Sequence, residues 1–78
     1  MNAAAQLQMF EPEASALAEL VATHTRNAQF EEKRSELLQL SGYSAAASMC
    51  VKAANELYER AAVAEMALQF EELAGLTQ

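Results

Sequence analysis

The sequence predicts an all-α protein in which two long antiparallel helices form a helical hairpin. Three observations support this fold class. Alanine, glutamate and leucine, which all favour helices, dominate the 78 residues. Apolar residues recur at spacings of three and four along two long segments. A single strong stop-and-start signal, Ser41-Gly42-Tyr43-Ser44, separates those segments.

The N-terminal segment, residues 1–11, is predicted to be an arm or a short helix that precedes helix one. Proline disfavours the α conformation in the residue before it, so Glu11 marks a boundary. Proline is also favoured at the first helical position. Helix one is therefore expected to run over residues 12–40. Its first half carries an apolar stripe made of Ala14, Leu17, Leu20, Val21, His24 and Ala28.

The middle of helix one is polar between Thr23 and Asn27, and beyond it the apolar pattern rotates. Phe30 and Leu37 share a face that differs from the face of the first stripe. The helix therefore bends, changes its partner along its length or breaks in this region. Because no glycine or proline lies inside the segment, we expect a continuous helix.

The hinge, residues 41–44, contains the residues expected where one helix ends and the next begins. Gly42 suits the left-handed conformation that ends many helices. Ser44 suits the N-cap of the following helix. A connection this short favours antiparallel neighbours. Helix two is then expected over residues 45–74, with a tail at 75–78.

Helix two carries two apolar faces. The first is Ala47, Cys50, Val51, Ala54, Leu57, Tyr58, Ala61 and Leu68, and it approximates a heptad pattern. The second is Ala62, Val63, Met66, Phe70 and Leu73. A helix that is apolar around so much of its circumference needs more cover than one partner helix gives. We therefore expect a helical-bundle homodimer or another protein complex. The predicted protein interface is Leu57, Tyr58, Val63, Met66, Leu68, Phe70 and Leu73.

The size of the chain also favours association. Residues 1–78 allow a single helical domain, and a core of that size rarely supplies more than about 3–5 kcal/mol without a disulfide, a metal or a partner. Cys50 is the only cysteine, so no disulfide forms within the chain. Assembly with another chain is the expected source of additional stability.

The residues capable of chemistry do not form a recognisable site. His24 is the only histidine, and Val21 occupies the place where a Glu-x-x-His metal motif would have its glutamate. Adjacent carboxylates such as Glu31 and Glu32 diverge by about 100° on a helix. We expect no catalytic residues, no metal site, no cofactor and no enzymatic activity.

The charge and the hydropathy pattern limit the partners and the location. A net charge of −6 disfavours direct binding to nucleic acid. The sequence contains no apolar run of about 18 residues and no signal peptide, so neither a membrane partner nor export is expected. A lone thiol fits a reducing compartment, and we expect a cytoplasmic protein.

Three functions fit these constraints. The first is a small acidic protein-binding module that acts through apolar helix faces as an adaptor, a chaperone-like cofactor or an inhibitor. The second is a structural homo-oligomer without another partner. The third is an acidic mimic of nucleic acid that blocks a DNA-binding protein. One internal echo, Gln-Phe-Glu-Glu at residues 29–32 and again at 69–72, is interpreted as coincidence rather than as a two-helix repeat.

Overall fold

The protein is a helical hairpin, as predicted, in a computed structural model that describes residues 2–76 and the side chains of residues 14–75. Helix α1 spans Asn2–Leu40 and helix α2 spans Ser44–Leu76. The two helices pack against each other, and the described contact runs from Ala14 to Leu38 on α1 and from Ala47 to Leu68 on α2. Helix α1 passes through residues 23–27 without interruption, which confirms the continuous helix expected there.

The turn between the helices is built around Gly42, whose φ of 87° is the left-handed conformation expected from the sequence. The Tyr43 N–H donates to the carbonyl of Leu38 at 2.8 Å, and the Gly42 N–H donates to that of Gln39 at 3.1 Å. This pair of bonds is a Schellman motif, which satisfies carbonyls at the end of α1. The Ala47 N–H donates to the Tyr43 carbonyl at 2.9 Å. Tyr43, not Ser44, is therefore the N-cap of α2.

The outer ends of both helices differ from the predicted ends. Helix α1 begins at Asn2 rather than at Pro12, so residues 2–11 belong to it and are not a separate arm. Proline inside a helix costs about 3 kcal/mol, but the alanines and glutamines before it favour helix and extend α1 past this local penalty. Helix α2 passes through Gly75 and ends at Leu76. A single glycine destabilises a helix by only about 1 kcal/mol relative to alanine, which is not enough to end α2.

The two helices meet along one row of residues on each helix, which we call the seam. Every member is buried or half-buried, and successive members are three or four residues apart, as in a coiled coil. The seam consists of Ala14, Leu17, Val21, His24, Ala28, Glu31, Ser35 and Leu38 on α1 and of Ala47, Cys50, Ala54, Leu57, Ala61, Ala64 and Leu68 on α2.

The buried part of the seam is made of small side chains. Its apolar members are Ala28, Ala47, Cys50, Ala54, Ala61 and Ala64, and no large described side chain is fully buried. Leu20 and Val51, which the sequence placed on the inner stripes, are exposed. Each follows or precedes a seam residue by one position, which turns its side chain by about 100° out of the helix contact. The seam therefore buries little apolar area for its length.

Among the described side chains, two hydrogen bonds connect the helices. The buried hydroxyl of Ser35 donates to the carbonyl oxygen of Ala47 at 3.0 Å. The phenol of Tyr58 donates to Oε1 of Glu32 at 2.6 Å at the exposed rim of the seam. Because small alanine contacts are alike along the seam, directional bonds of this kind favour one relative position of α1 and α2.

The hairpin is a single layer of helix. It measures 56 × 28 × 12 Å, and the smallest dimension equals the width of one helix with its side chains. Its radius of gyration is 17.5 Å, against about 11.5 Å for a compact domain of this length. Its accessible surface is 6323 Å², about a third more than the ~4,700 Å² expected of a globular protein of this mass. Within residues 2–76, neither helix is long and apolar enough to cross a membrane.

Candidate protein-interaction surfaces

Each helix presents a surface that faces away from the other helix. We call the outward row Val63, Met66, Phe70 and Leu73 the α2 edge. We call the outward set Arg26, Gln29, Phe30, Lys33, Arg34 and Leu37, which lines one shallow hollow, the α1 edge. Neither edge is covered by the rest of the described chain, so both are candidates for contacts with other molecules.

The α2 edge is a second coiled-coil row on a helix that already has one. Its members are spaced three, four and three residues apart, which is the spacing of a and d positions. Met66 lies nine residues from the seam residue Leu57, a rotation of about 180°. Val63, at the start of the row, also lines a groove with Leu17 and Leu20 of α1. The four side chains are between 61 % and 75 % exposed. Large apolar side chains grouped in this way mark interaction surfaces in soluble proteins.

From Ala62 onwards, the flanking positions of the α2 edge carry no charge, whereas Glu59 and Arg60 precede Val63 in the same groove. In the heptad that Val63 and Met66 define, the flanking positions are Ala62, Ala67 and Gln69. The same row continues towards the hinge with two carboxylates, Glu56 and Glu59. The edge is therefore apolar and neutral over the last third of α2 and acidic closer to its middle.

The α1 edge is different because it combines two large apolar side chains with three cations. Phe30 and Leu37 are 65 % and 63 % exposed. They lie one heptad apart and about 180–200° around α1 from the seam residue Ala28. Arg26 and Lys33 occupy the neighbouring positions of the same outward row. The rotation that the sequence indicated between Phe30 and the first stripe thus reflects a second outward surface on one unbroken helix.

The charge of the α1 edge is opposite to that of the chain. Three of the five basic residues line its hollow of about 550 Å³, and no acidic residue does. Arg34 also contacts the Glu31 carboxylate, with Nη1 to Oε1 at 3.8 Å. That distance is long and the guanidinium is exposed, so the pair contributes little to stability and leaves Arg34 able to take another partner.

Two grooves lie beside the seam. One contains the histidine and the other contains the cysteine. The larger, of about 590 Å³, includes His24, whose Nδ1 is the one buried side-chain polar atom without a hydrogen-bond partner among the described side chains. The smaller, of about 310 Å³, includes Glu31 and Cys50. Burial raises the pKa of the Cys50 thiol, and hydrogen bonding to Glu31 and the Glu31 charge raise the pKa further, whereas Arg34 opposes them. Cys50 is thus a packed thiol and not an activated nucleophile.

The predicted interface residues fall into three places. Val63, Met66, Phe70 and Leu73 come together on the α2 edge, whereas Leu57 and Leu68 are half-buried in the seam. Tyr58 lies at the rim, where hydrogen bonding to Glu32 is the main cause that raises its pKa, followed by burial and the Glu32 charge.

The sequence reasoning missed the α1 edge as a site. The signal was present in the spacing of Arg26, Phe30, Lys33 and Leu37, which alternates four, three and four. A search for apolar stripes overlooks it because every second member is a cation. Within the described residues, no group of three or more histidine, cysteine or acidic side chains is arranged to hold a metal ion.

Comparison of the chain with protein-family models, with curated proteins and with solved structures finds no match.

Proposed function

We propose that the protein is a small, acidic, non-enzymatic protein-binding module that assembles as a homodimer through the α2 edge. One observation carries this proposal: four large apolar side chains in coiled-coil spacing stand exposed on a hairpin that is one helix thick. Because the seam buries mainly alanine, the hairpin has little hydrophobic stabilisation of its own. Pairing two α2 edges covers the largest unburied apolar row and supplies that stabilisation.

The α2 edge suits a second copy of the same chain. From Ala62 onwards its flanking residues are neutral, so two copies with a net charge of −6 meet there without opposing like charges. A standard interface buries about 800 Å² on each partner. The surface of this chain exceeds that of a compact protein by about twice that amount, which leaves room for one interface on each edge.

The carboxylates on the α2 row favour antiparallel pairing of the two copies. A parallel pair would place Glu59 directly opposite Glu59 of the second copy, which is unfavourable. An antiparallel pair centred near residue 68 puts Val63 opposite Leu73 and Met66 opposite Phe70. The two Glu59 side chains are then about 27 Å apart along the helix axis, given a rise of ~1.5 Å per residue.

In this arrangement the dimer displays two α1 edges, and we propose that they bind a different protein. The module then acts as an adaptor, a chaperone-like cofactor or an inhibitor, and the packed free thiol fits a cytoplasmic location. The alternative of a homo-oligomer without another partner leaves the α1 edge without a role. The alternative of a nucleic-acid mimic requires carboxylates gathered on one face, which the basic α1 edge does not offer.

Light scattering on two matched variants tests the dimer. Phe70→Glu places a charge in the α2 edge, and Phe30→Glu places the same charge in the same local sequence on the α1 edge. We expect a dimer for the unmodified chain and for Phe30→Glu, and a monomer for Phe70→Glu. A monomeric unmodified chain, or a dimer that only Phe30→Glu dissociates, would overturn the proposal.

A further inference from the structure

We infer that the α1 edge is the docking site for an acidic amphipathic helix of another protein. This inference rests on the proposed function, since it specifies the partner that the displayed edge of the dimer takes. It adds a second contact to the α2 pairing. The α1 edge is basic and the α2 edge is neutral, so we expect them to bind different partners.

The shape of the α1 edge fits one helix. The hollow runs along the outward row of α1, where Phe30 and Leu37 are separated by one heptad, or about 10 Å along the axis. Two apolar knobs at that separation match the holes that a partner helix presents to a coiled-coil neighbour. Lys33 lies between them on the same exposed row, and a lysine at such a position covers apolar surface with its aliphatic stem while its charged end stays in water.

The charge of the α1 edge selects an acidic partner. Arg26, Lys33 and Arg34 surround the hollow, and the lining includes no carboxylate. Two α1 edges facing each other would place these cations together, so a second copy is disfavoured there. A helix with carboxylates beside an apolar stripe would instead bring opposite charges to Arg26 and Lys33 in the row and to Arg34 on one flank.

The surroundings of the α1 edge favour a helix over a phospholipid surface or nucleic acid. The basic strip is narrow: Glu36 precedes Leu37 on the exposed surface of α1, and Glu31 contacts Arg34 on the opposite flank. A flat anionic membrane or a phosphate backbone would approach these carboxylates as well as the cations. The net charge of −6 repels an extended polyanion more strongly than a single helix with a few carboxylates, because the repulsion grows with the charge of the partner.

A displayed peptide library tests the inference on the full-length chain. The library holds helices of about 21 residues with apolar a and d positions and with glutamate, lysine or glutamine at the flanking positions. Selection on the unmodified protein should enrich peptides with glutamate flanks. Their affinity should fall at least tenfold for Lys33→Glu and for Phe30→Glu, and it should weaken between about 50 mM and about 500 mM salt.

The control variant is Lys52→Glu, which reverses a charge on the exposed surface of α2 and changes the net charge as much as Lys33→Glu. We expect it to bind the enriched peptides like the unmodified chain. Equal losses in both variants, enrichment of lysine or neutral flanks, or no enrichment would overturn the inference, as would stronger binding to phosphatidylserine vesicles. Light scattering of the same samples reports the dimer separately, so failure of the docking site is distinguishable from failure of the α2 pairing.

Discussion

Gly42 determines the backbone conformation of the turn between the two helices. Its φ of 87° is open to glycine and costs other L-residues about 1–2 kcal/mol, although a Cβ there would meet no other atom within 4 Å. This conformation was predictable because a glycine directly follows the end of the first apolar pattern, where helices often end in the left-handed conformation. The shift of the N-cap from Ser44 to Tyr43 was not predictable. It depends on the geometry of the turn, which makes the Tyr43 carbonyl the first acceptor of α2.

Substitution of the two glycines should therefore change stability in opposite directions. We expect Gly42→Ala to lower the free energy of unfolding by about 1 kcal/mol through backbone strain. Gly75→Ala, inside α2 and with open space around its Cα, should raise it by up to about 1 kcal/mol. Urea unfolding followed by circular dichroism measures both. Equal losses from both substitutions would show that the turn geometry is not the cause.

We expect Tyr58 to give the hairpin a pH dependence. Its pKa is raised above the ordinary value of 10.0, first because its hydroxyl donates to Glu32. The folded state thus holds this proton more tightly than the unfolded state, so the contribution of Tyr58 is present below pH 10 and is lost as the pH rises through the raised pKa. We expect the stability difference between the unmodified chain and Tyr58→Phe to shrink between about pH 8 and about pH 11.

The matched control for that titration is Tyr43→Phe, which alters the exposed tyrosine of the turn. Thermal melts of the three proteins at both pH values make the comparison. A difference between the unmodified chain and Tyr58→Phe that stays constant with pH would contradict the role assigned to the Glu32 contact.

The helix pair shows what apolar periodicity predicts and what it leaves open. The spacing of three and four correctly predicted two helices and most of the seam. It also assigned Leu20 and Val51 to the inner stripes, because periodicity alone does not reveal that this seam selects small side chains. The predicted start at Pro12 was wrong because a proline rule describes a local cost, whereas the length of α1 depends on the residues on both sides.

A larger side chain in the seam should separate the helices. Ala28 is fully buried opposite α2, so Ala28→Leu overfills a contact that only small residues fit. We expect a loss of about 1–3 kcal/mol in the free energy of unfolding. Ala22→Leu makes the same change at an exposed position of α1 and should have little effect. If Ala28→Leu leaves the urea midpoint unchanged, the close alanine contact does not hold the hairpin together.

At the scale of the whole molecule, the sequence predicted more apolar surface on helix two than one partner helix covers, and Val63, Met66 and Phe70 are exposed on the hairpin. The sequence did not distinguish the residues of the seam from the exposed residues of the α2 edge. Leu57 and Leu68, which lie in the seam, were therefore grouped with the α2 edge. Phe30 and Phe70 lie in the same four-residue sequence, Gln-Phe-Glu-Glu, but on opposite edges of the hairpin and beside different residues. Those neighbours, basic on α1 and neutral on α2, distinguish the two proposed contacts.

Disulfide cross-linking of single-cysteine variants measures the proposed assembly most directly. In a Cys50→Ala background, cysteine is introduced at Gln69 beside the centre of the α2 edge, at Glu59 on the same row, and at Gln29 on the α1 edge. Antiparallel pairing through α2 predicts a covalent dimer on oxidation for Gln69→Cys alone. Cross-linking of Glu59→Cys would show parallel pairing, and cross-linking of Gln29→Cys without Gln69→Cys would show that the copies meet through α1, which contradicts the division of roles between the two edges.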